Sequence, residues 1–227
     1  MEKNTIIVAT SNPNKAREFA KLLPGVEVLP MPEGIELPEE TGTTFEENAR
    51  LKAQSVLEQL QVMPGRQPAF AEPEGQPAGA GSETDYGDSE APSAGKLWVM
   101  ADDSGIEIHA LGGAPGIYSA RYAGEDATDT DNVDKLLKEL HGRDDRGARF
   151  VCVLVCLSAT GEEIVSSGYF EGNIAESPHG QSGFGYDPVF IPLEKTLTVA
   201  QISAEEKNRI SHRARAAHSL LAQLRGG

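Results

Sequence analysis

The sequence predicts an α/β domain built on a mixed β-sheet, and three features predict it. Near the N-terminus the β-branched run Thr5-Ile6-Ile7-Val8-Ala9-Thr10 is followed by Lys15 to Leu23, where Ala16, Phe19, Ala20 and Leu23 recur at helical spacing; this is a strand, a tight loop and a helix. In the second half, the apolar runs Ala148 to Ser158 and Glu163 to Gly172 flank Ala159-Thr160-Gly161-Glu162, which predicts a hairpin. The 227 residues suffice for one enzyme-sized domain with a real core, spanning residues 1–227 and interrupted by one polar segment.

In chain order, the first strand leads into Ser11-Asn12-Pro13-Asn14, and Lys15 stands at the helix start. Free backbone N–H groups and the helix dipole favour an anion there. A lysine opposes that dipole and would sit more comfortably with a phosphate between. The plain alternative is an N-capping loop with a solvated lysine, because the loop lacks the glycine pattern of a Walker loop. Val26 to Leu29 reads as a second strand, and the prolines from Met31 to Gly42 make a loop that contains the acidic pair Glu39-Glu40. Thr43 or Thr44 caps the next helix, Glu46 or Glu47 completes a capping box, and Phe45, Ala49, Ala53, Val56, Leu57 and Leu60 form its apolar face. On that helix Asn48 and Lys52 are one turn apart and present two donors from one edge. From Pro64 to Gly95 the chain is rich in Pro, Gly and acids, with Arg66 its single base and no Val, Leu or Ile. Such a segment cannot bury enough apolar surface to offset its ordering entropy, and it reads as a flexible acidic surface insertion at about 64–95.

Leu97 to Ala101 and Ile106 to Ala110 are each expected to be strands, with Asp102, Asp103, Ser104 and Gly105 between them. Adjacent carboxylates repel, so at the end of a buried strand they call for a cation, and Mg²⁺ suits hard oxygen ligands beside phosphates. Taken alone, the four residues also fit a plain turn. Leu111-Gly112-Gly113-Ala114-Pro115-Gly116 lacks a Gly-Lys-Ser/Thr ending and reads as a turn permitting close backbone approach. Val133, Leu136, Leu137 and Leu140 mark a helix from Asp129 to Leu140. Further on, Gly180 to Pro188 leads into a strand at Val189 to Ile191, and Phe184 or Tyr186 offers a stacking face among glycines, which suits a nucleobase. Ser203 to Glu206 opens a last helix whose Lys207, Arg209, His212, Arg213, Arg215 and Arg225 form a basic island.

A formal net charge of −15 and a pI near 4.7 argue against a surface that grips duplex nucleic acid, because such binding neutralises many backbone phosphates. An anionic ligand must therefore meet locally concentrated positive charge. No apolar run has membrane-spanning length, and Glu2-Lys3-Asn4 passes straight into a strand with no secretory leader, so a cytoplasmic protein is expected. Cys152 and Cys156 lie on one face of a strand without metal-ligand spacing and are expected to be buried and reduced.

Several segments, in order, resemble the noncanonical purine nucleoside triphosphate pyrophosphatases, also called dITP/XTP or inosine triphosphate pyrophosphatases. They are TSNPNKAREF, LPEETGTTFEENARLKA, ADDSGIEIHALGGAPGIYSARYAGEDATD, RFVCVLVCL, GFGYDPVF and EEKNRISHRARA. The resemblance is nearly end to end and fails only from Met63 to about Lys96. It implies an elongated mixed sheet with helices in two lobes around a central cleft, a homodimer, and Mg²⁺ as cofactor.

Carried over by position, the resemblance makes Thr10, Ser11, Asn12, Pro13, Asn14 and Lys15 the triphosphate loop. Glu39 becomes a magnesium-contacting acid, with Glu40 beside it undecided, and Asp103 both metal ligand and proton acceptor with Asp102 its neighbour. Ser104, Lys52, Phe184, Gly185, Tyr186, Asp187, Lys207, His212 and Arg213 become substrate contacts. Hydrolysis between the α and β phosphates is the implied reaction, with Lys15, Lys52 and Lys207 expected to stabilise the leaving pyrophosphate. His212 and Arg213 are the candidate donors to a 6-keto oxygen.

Overall fold

The computed structural model describes residues 4–62, 96–193 and 195–226. Six strands form one mixed sheet in the order β2-β1-β3-β4-β5-β6, with β1 at Thr5–Val8, β2 at Glu27–Pro30, β3 at Leu97–Ile108, β4 at Gly147–Ser158, β5 at Glu163–Ile174 and β6 at Phe190–Pro192. β1 pairs parallel with β2 and β3, while β3, β4, β5 and β6 pair antiparallel in succession. The α/β class and the mixed sheet are as the sequence predicts. The acidic segment from Pro64 to Gly95 lies outside the described residues.

The helices cover both faces. α1, Pro13–Leu22, begins on a proline, whose missing N–H costs nothing in a first turn. With α5, His212–Gly226, it covers one face: Phe19, Leu23 and Leu220 pack there on Ile6, Val8, Trp98, Met100, Cys152, Leu154 and Cys156. Both cysteines are buried and free. α2, Phe45–Val62, covers the other face, setting Ala49, Ala53 and Val56 on Ile7, Val99, Ala101 and Val155. Its start is capped as expected: the Glu47 amide donates to Thr44 Oγ1 at 3.1 Å, and Glu47 accepts from the Thr43 amide. α3, Asp129–Glu139, carries a Thr128–Asp131 capping box and closes the far end of the sheet over Ile106, Ile108 and Phe150.

Two elements differ from expectation. β3 is one strand of 12 residues, not two strands flanking a turn, and Asp102 to Gly105 pair with Leu154 to Val151 of β4. The unbroken apolar partner strand supplies the ladder that the local Asp-Asp-Ser-Gly chemistry would otherwise end. The last helix is two helices, α4 at Ala204–Ile210 and α5. Ser211 breaks them in an extended conformation and its hydroxyl accepts from the Ala214 amide at 3.2 Å. That break turns His212 and Arg213, in the first turn of α5, inward.

The topology also sets the place of the cleft. β1 covers β3 only from Leu97 to Met100, so β3 runs on for eight further residues past the carboxyl end of its parallel neighbour. Ala9 and Thr10, just beyond β1, and Asp102, Ser104, Gly105 and Ile106 of the overhang line one cleft, the crevice where open α/β sheets bind ligands.

Candidate functional site

Pleating assigns the two aspartates to different surroundings, because successive residues of a strand point to opposite faces. Asp102 follows Trp98 and Met100 to the α1/α5 face, and Asp103 follows Val99 and Ala101 to the α2 face. Asp102 is 1% exposed. Its Oδ2 accepts from Lys15 Nζ and from Ser104 Oγ, each at 2.9 Å, with Arg213 Nε 3.9 Å away. Burial pushes its pKa up, but the charges of Lys15, Arg213 and Lys52 outweigh burial and hold the carboxyl well below the usual range. It is a permanent anion, and its buried Oδ1 has no hydrogen-bond partner among the described residues.

Asp103 meets the opposite balance. Its Oδ2 accepts from Asn48 Nδ2 at 3.0 Å and its Oδ1 from the Ser104 amide at 2.9 Å, with Lys52 Nζ 3.8 Å off. Burial pushes its carboxyl up, Lys52 pulls it down and Glu40 pushes it up again, leaving it at about 6. A buried carboxyl raised toward neutrality beside a cleft is the state expected of a proton acceptor.

Lys52, buried on α2, donates to Glu40 Oε1 at 2.7 Å and so stands between Glu40 and Asp103. Arg121 lies 3.8 Å from the other Glu40 oxygen. Glu40 lines the cleft, whereas Glu39 is exposed and outside its wall. Of the expected acidic pair, Glu40 is the one that faces the cations Lys52 and Arg121, while Glu39, the expected magnesium contact, faces solvent. Among the described residues no three His, Cys, Asp or Glu side chains converge into a ready metal cage. Two hard carboxylates, Asp103 and Glu40, nonetheless suit Mg²⁺, which takes one or two protein carboxylates and completes its shell with phosphate and water. Each Asp103 oxygen has one hydrogen-bond donor and so a lone pair to spare.

At the other end of the cleft lies the loop at Phe184 to Asp187. Phe184 is 43% exposed, and Lys207 Nζ and the Arg213 guanidinium lie over its ring at 4.6 and 5.3 Å. Asp187 Oδ2 braces the loop, accepting from the Phe184 amide at 3.0 Å and from Lys207 Nζ at 2.5 Å. Lys207 therefore belongs with the aromatic loop. Tyr186 is buried, and its hydroxyl donates to the Ser119 carbonyl at 2.8 Å. It is a wall of the core, which leaves Phe184 as the ring with an open face. His212 stacks on Phe150 with ring centres 4.9 Å apart; burial first, then the Arg213 and Lys207 charges, depress its pKa and keep it neutral. His212 Nδ1 and Arg213 Nε are buried without hydrogen-bond partners among the described residues.

One cleft of about 360 Å³ gathers Thr10, Ser11, Asn12, Lys15, Lys52, Ser104, Phe184, Gly185, Tyr186, Asp187, Lys207, His212 and Arg213. That volume is within the range of small-molecule sites. Pro13, the first residue of α1, is outside the wall, as is Asp103 itself, which sits behind Glu40 and Lys52. Asn14 also belongs to α1. Sequence reasoning missed Asp129, which lines the cleft and accepts from the Gly185 amide at 2.6 Å. Its only local signal is that of a helix-start acid. It also missed Ser119, whose Oγ accepts from the Ile106 amide at 2.8 Å and donates to the Gly116 carbonyl at 2.6 Å. A Cβ on Gly105 would sit 2.4 Å from that carbonyl, so the close approach permitted by glycine is at Gly105.

The chain matches the Ham1 family over residues 6–75 and 86–223. The dITP/XTP pyrophosphatase of Bacillus subtilis is 42% identical over 221 residues, 94% of this chain and 93% of that protein. The protein of the same name from Oceanobacillus iheyensis is 40% identical over 222 residues, 95% of each chain. Among solved structures, the Staphylococcus aureus Ham1 protein matches with a TM-score of 0.76 at 38% identity, over 98% of both chains. A HAM1 protein from Coxiella burnetii matches with a TM-score of 0.77 at 33% identity, over the full length of both. With its sequence and its fold in agreement along nearly the whole chain, the protein belongs to the Ham1 family.

Proposed function

We propose that the protein is a nucleoside triphosphate pyrophosphohydrolase that cleaves ITP, dITP and XTP with Mg²⁺, releasing the nucleoside monophosphate and pyrophosphate. The observation that carries this is the make-up of the cleft: lysines beside carboxylates at Lys15, Lys52, Asp102 and Glu40, together with the partly exposed Phe184 ring and the cations Lys207 and Arg213 over it. The names of the relatives from Bacillus subtilis and Oceanobacillus iheyensis support it.

Thr10 to Lys15 and Lys52 receive the triphosphate at the carboxyl end of β1. Asp103 and Glu40 would hold Mg²⁺, which would supply charge neutralisation for the phosphates. Asp103 takes the proton of the attacking water, while Asp102 is too weak a base for it, since Lys15 and Arg213 hold its pKa well below the usual range. Lys15 and Lys52 offset the charge that grows on the leaving pyrophosphate. Phe184 stacks on the base, and His212 and Arg213 address its 6-keto oxygen. A site that donates there leaves donors unpaired against a 6-amino purine, and one without room or partner for a 2-amino group disfavours guanine.

The whole chain acts as one domain with Pro64 to Gly95 as an insertion, and the working unit is a cytoplasmic homodimer, as in the family it resembles. No helix among the described residues is long and apolar enough to cross a membrane. The decisive experiment assays pyrophosphate release from ITP, dITP, XTP and the ordinary dNTPs, ATP and GTP with Mg²⁺. Turnover confined to the first three is expected. Equal turnover of ATP or GTP overturns the specificity, preference for another modified nucleotide moves the substrate class, and ITP binding without pyrophosphate release makes the protein a sensor.

A further inference from the structure

Asn48 is a fully buried polar side chain on α2, and nothing in the proposed chemistry yet uses it. Its amide is satisfied at both ends, by groups that belong to different parts of the site. Nδ2 donates to Asp103 Oδ2 at 3.0 Å, and Oδ1 accepts from the Gly42 amide at 2.8 Å, two residues beyond Glu40. These partners fix which end of the amide is which, since only the NH₂ can face a carboxylate and only the oxygen can face an N–H. Gly42 is packed so tightly on it that a Cβ there would lie 2.6 Å from Asn48 Oδ1. One turn on, Lys52 repeats the same span with charge, from Glu40 to Asp103.

We infer that Asn48 is a positioning residue whose amide fixes the rotation of the Asp103 carboxylate and holds it in register with the loop that carries Glu40. The Asp103 carboxylate has a single soft torsion at its end, and sp²-type terminal torsions are broad when nothing restrains them. Asn48 on Oδ2 and the Ser104 amide on Oδ1 clamp that torsion from both sides. Each oxygen then keeps a lone pair in a fixed orientation. The bland alternative is that Asn48 only staples Gly42 to the helix start.

The two roles separate in Asn48→Asp, which keeps an acceptor for the Gly42 amide but replaces the donor to Asp103 with an acceptor. The inference rests on Asp103 as proton acceptor, so Asp103→Asn is assayed alongside. Expected for Asn48→Asp is a kcat lowered about 100-fold, the scale of a misaligned catalytic group. KM for ITP and the calorimetric affinity for an α,β-methylene ITP analogue should stay within about threefold, and Gly42→Ala, which pushes on Asn48 from its other side, should lower kcat in the same sense. If kcat of Asn48→Asp stays within about threefold of wild type, or if analogue affinity falls by the same factor as kcat, the positioning role is overturned. Near-normal turnover by Asp103→Asn instead removes Asp103 from the chemistry and the inference with it. An inactive Asp103→Asn beside a normal Asn48→Asp sinks the Asn48 role alone.

Discussion

Asp103→Asn is expected to destroy the activity and, at pH 8, to make the protein more stable. The carboxyl rises from 3.8 to about 6 on folding, so the folded state binds a proton more tightly than the unfolded chain between those values. Stability from this group is therefore present at low pH and lost as pH rises through about 6. Above that, holding Asp103 ionised costs about 3 kcal/mol, an order-of-magnitude figure. Asparagine removes the cost. It also has only one acceptor where Asp103 satisfies both the Ser104 amide and Asn48, so one hydrogen bond is lost, worth about 1–2 kcal/mol when the donor is buried. The net gain is about 1–2 kcal/mol, or roughly 2–8 °C in Tm for a chain of this size. Scanning calorimetry in EDTA, without nucleotide, at pH 8 and pH 4 measures it. The gain should largely disappear at pH 4, where the folded carboxyl holds its proton and the unfolded one is about half protonated. A variant that melts below wild type at pH 8, or a Tm difference that is the same at both pH values, refutes the assignment of burial as the dominant influence on Asp103.

Two other substitutions probe the cleft's ends. Glu40→Gln should lower kcat/KM by at least about 100-fold and raise the Mg²⁺ concentration for half-maximal rate, while Glu39→Gln stays within about threefold; a Mg²⁺ titration of both variants checks this, and the reverse ranking restores Glu39. Phe184→Ala removes the exposed aromatic ring that lines the cleft, and stacking of about 1–3 kcal/mol predicts a KM for ITP raised roughly 5- to 150-fold with kcat little changed. Steady-state kinetics settles it, since an unchanged KM means that the base lies elsewhere.

Much of the frame was legible in the sequence because it is encoded locally. The βα start, the capped α2 and the β4–β5 hairpin follow from periodicity and from cap or turn residues a few positions apart. Each departure has a non-local cause. Asp-Asp-Ser-Gly reads as a turn until β4 pairs across it. Ser211 divides α4 from α5 without Gly or Pro, and only its capping of Ala214 marks the break. Tyr186 and Phe184 are equal candidates for stacking until the Ser119 carbonyl engages one of them. Glu39 and Glu40 cannot be told apart in a proline-rich loop, and Lys52 chooses between them from twelve residues away. The resemblance named the candidates, and the fold gathers most of them in one cleft.

The pleat of β3 carries a consequence for how such a site can be built at all. Adjacent carboxylates in one pocket share a proton and blur into a pair, and neither is then free to specialise. With one peptide bond between them and the sheet itself as a partition, Asp102 and Asp103 keep separate protonation states without any distance along the chain. The backbone here is a partition and not an insulator, since each side still feels the other's charge: on one side a fixed anion anchors Lys15 and Arg213, and on the other an acid near its titration point remains free to exchange its proton.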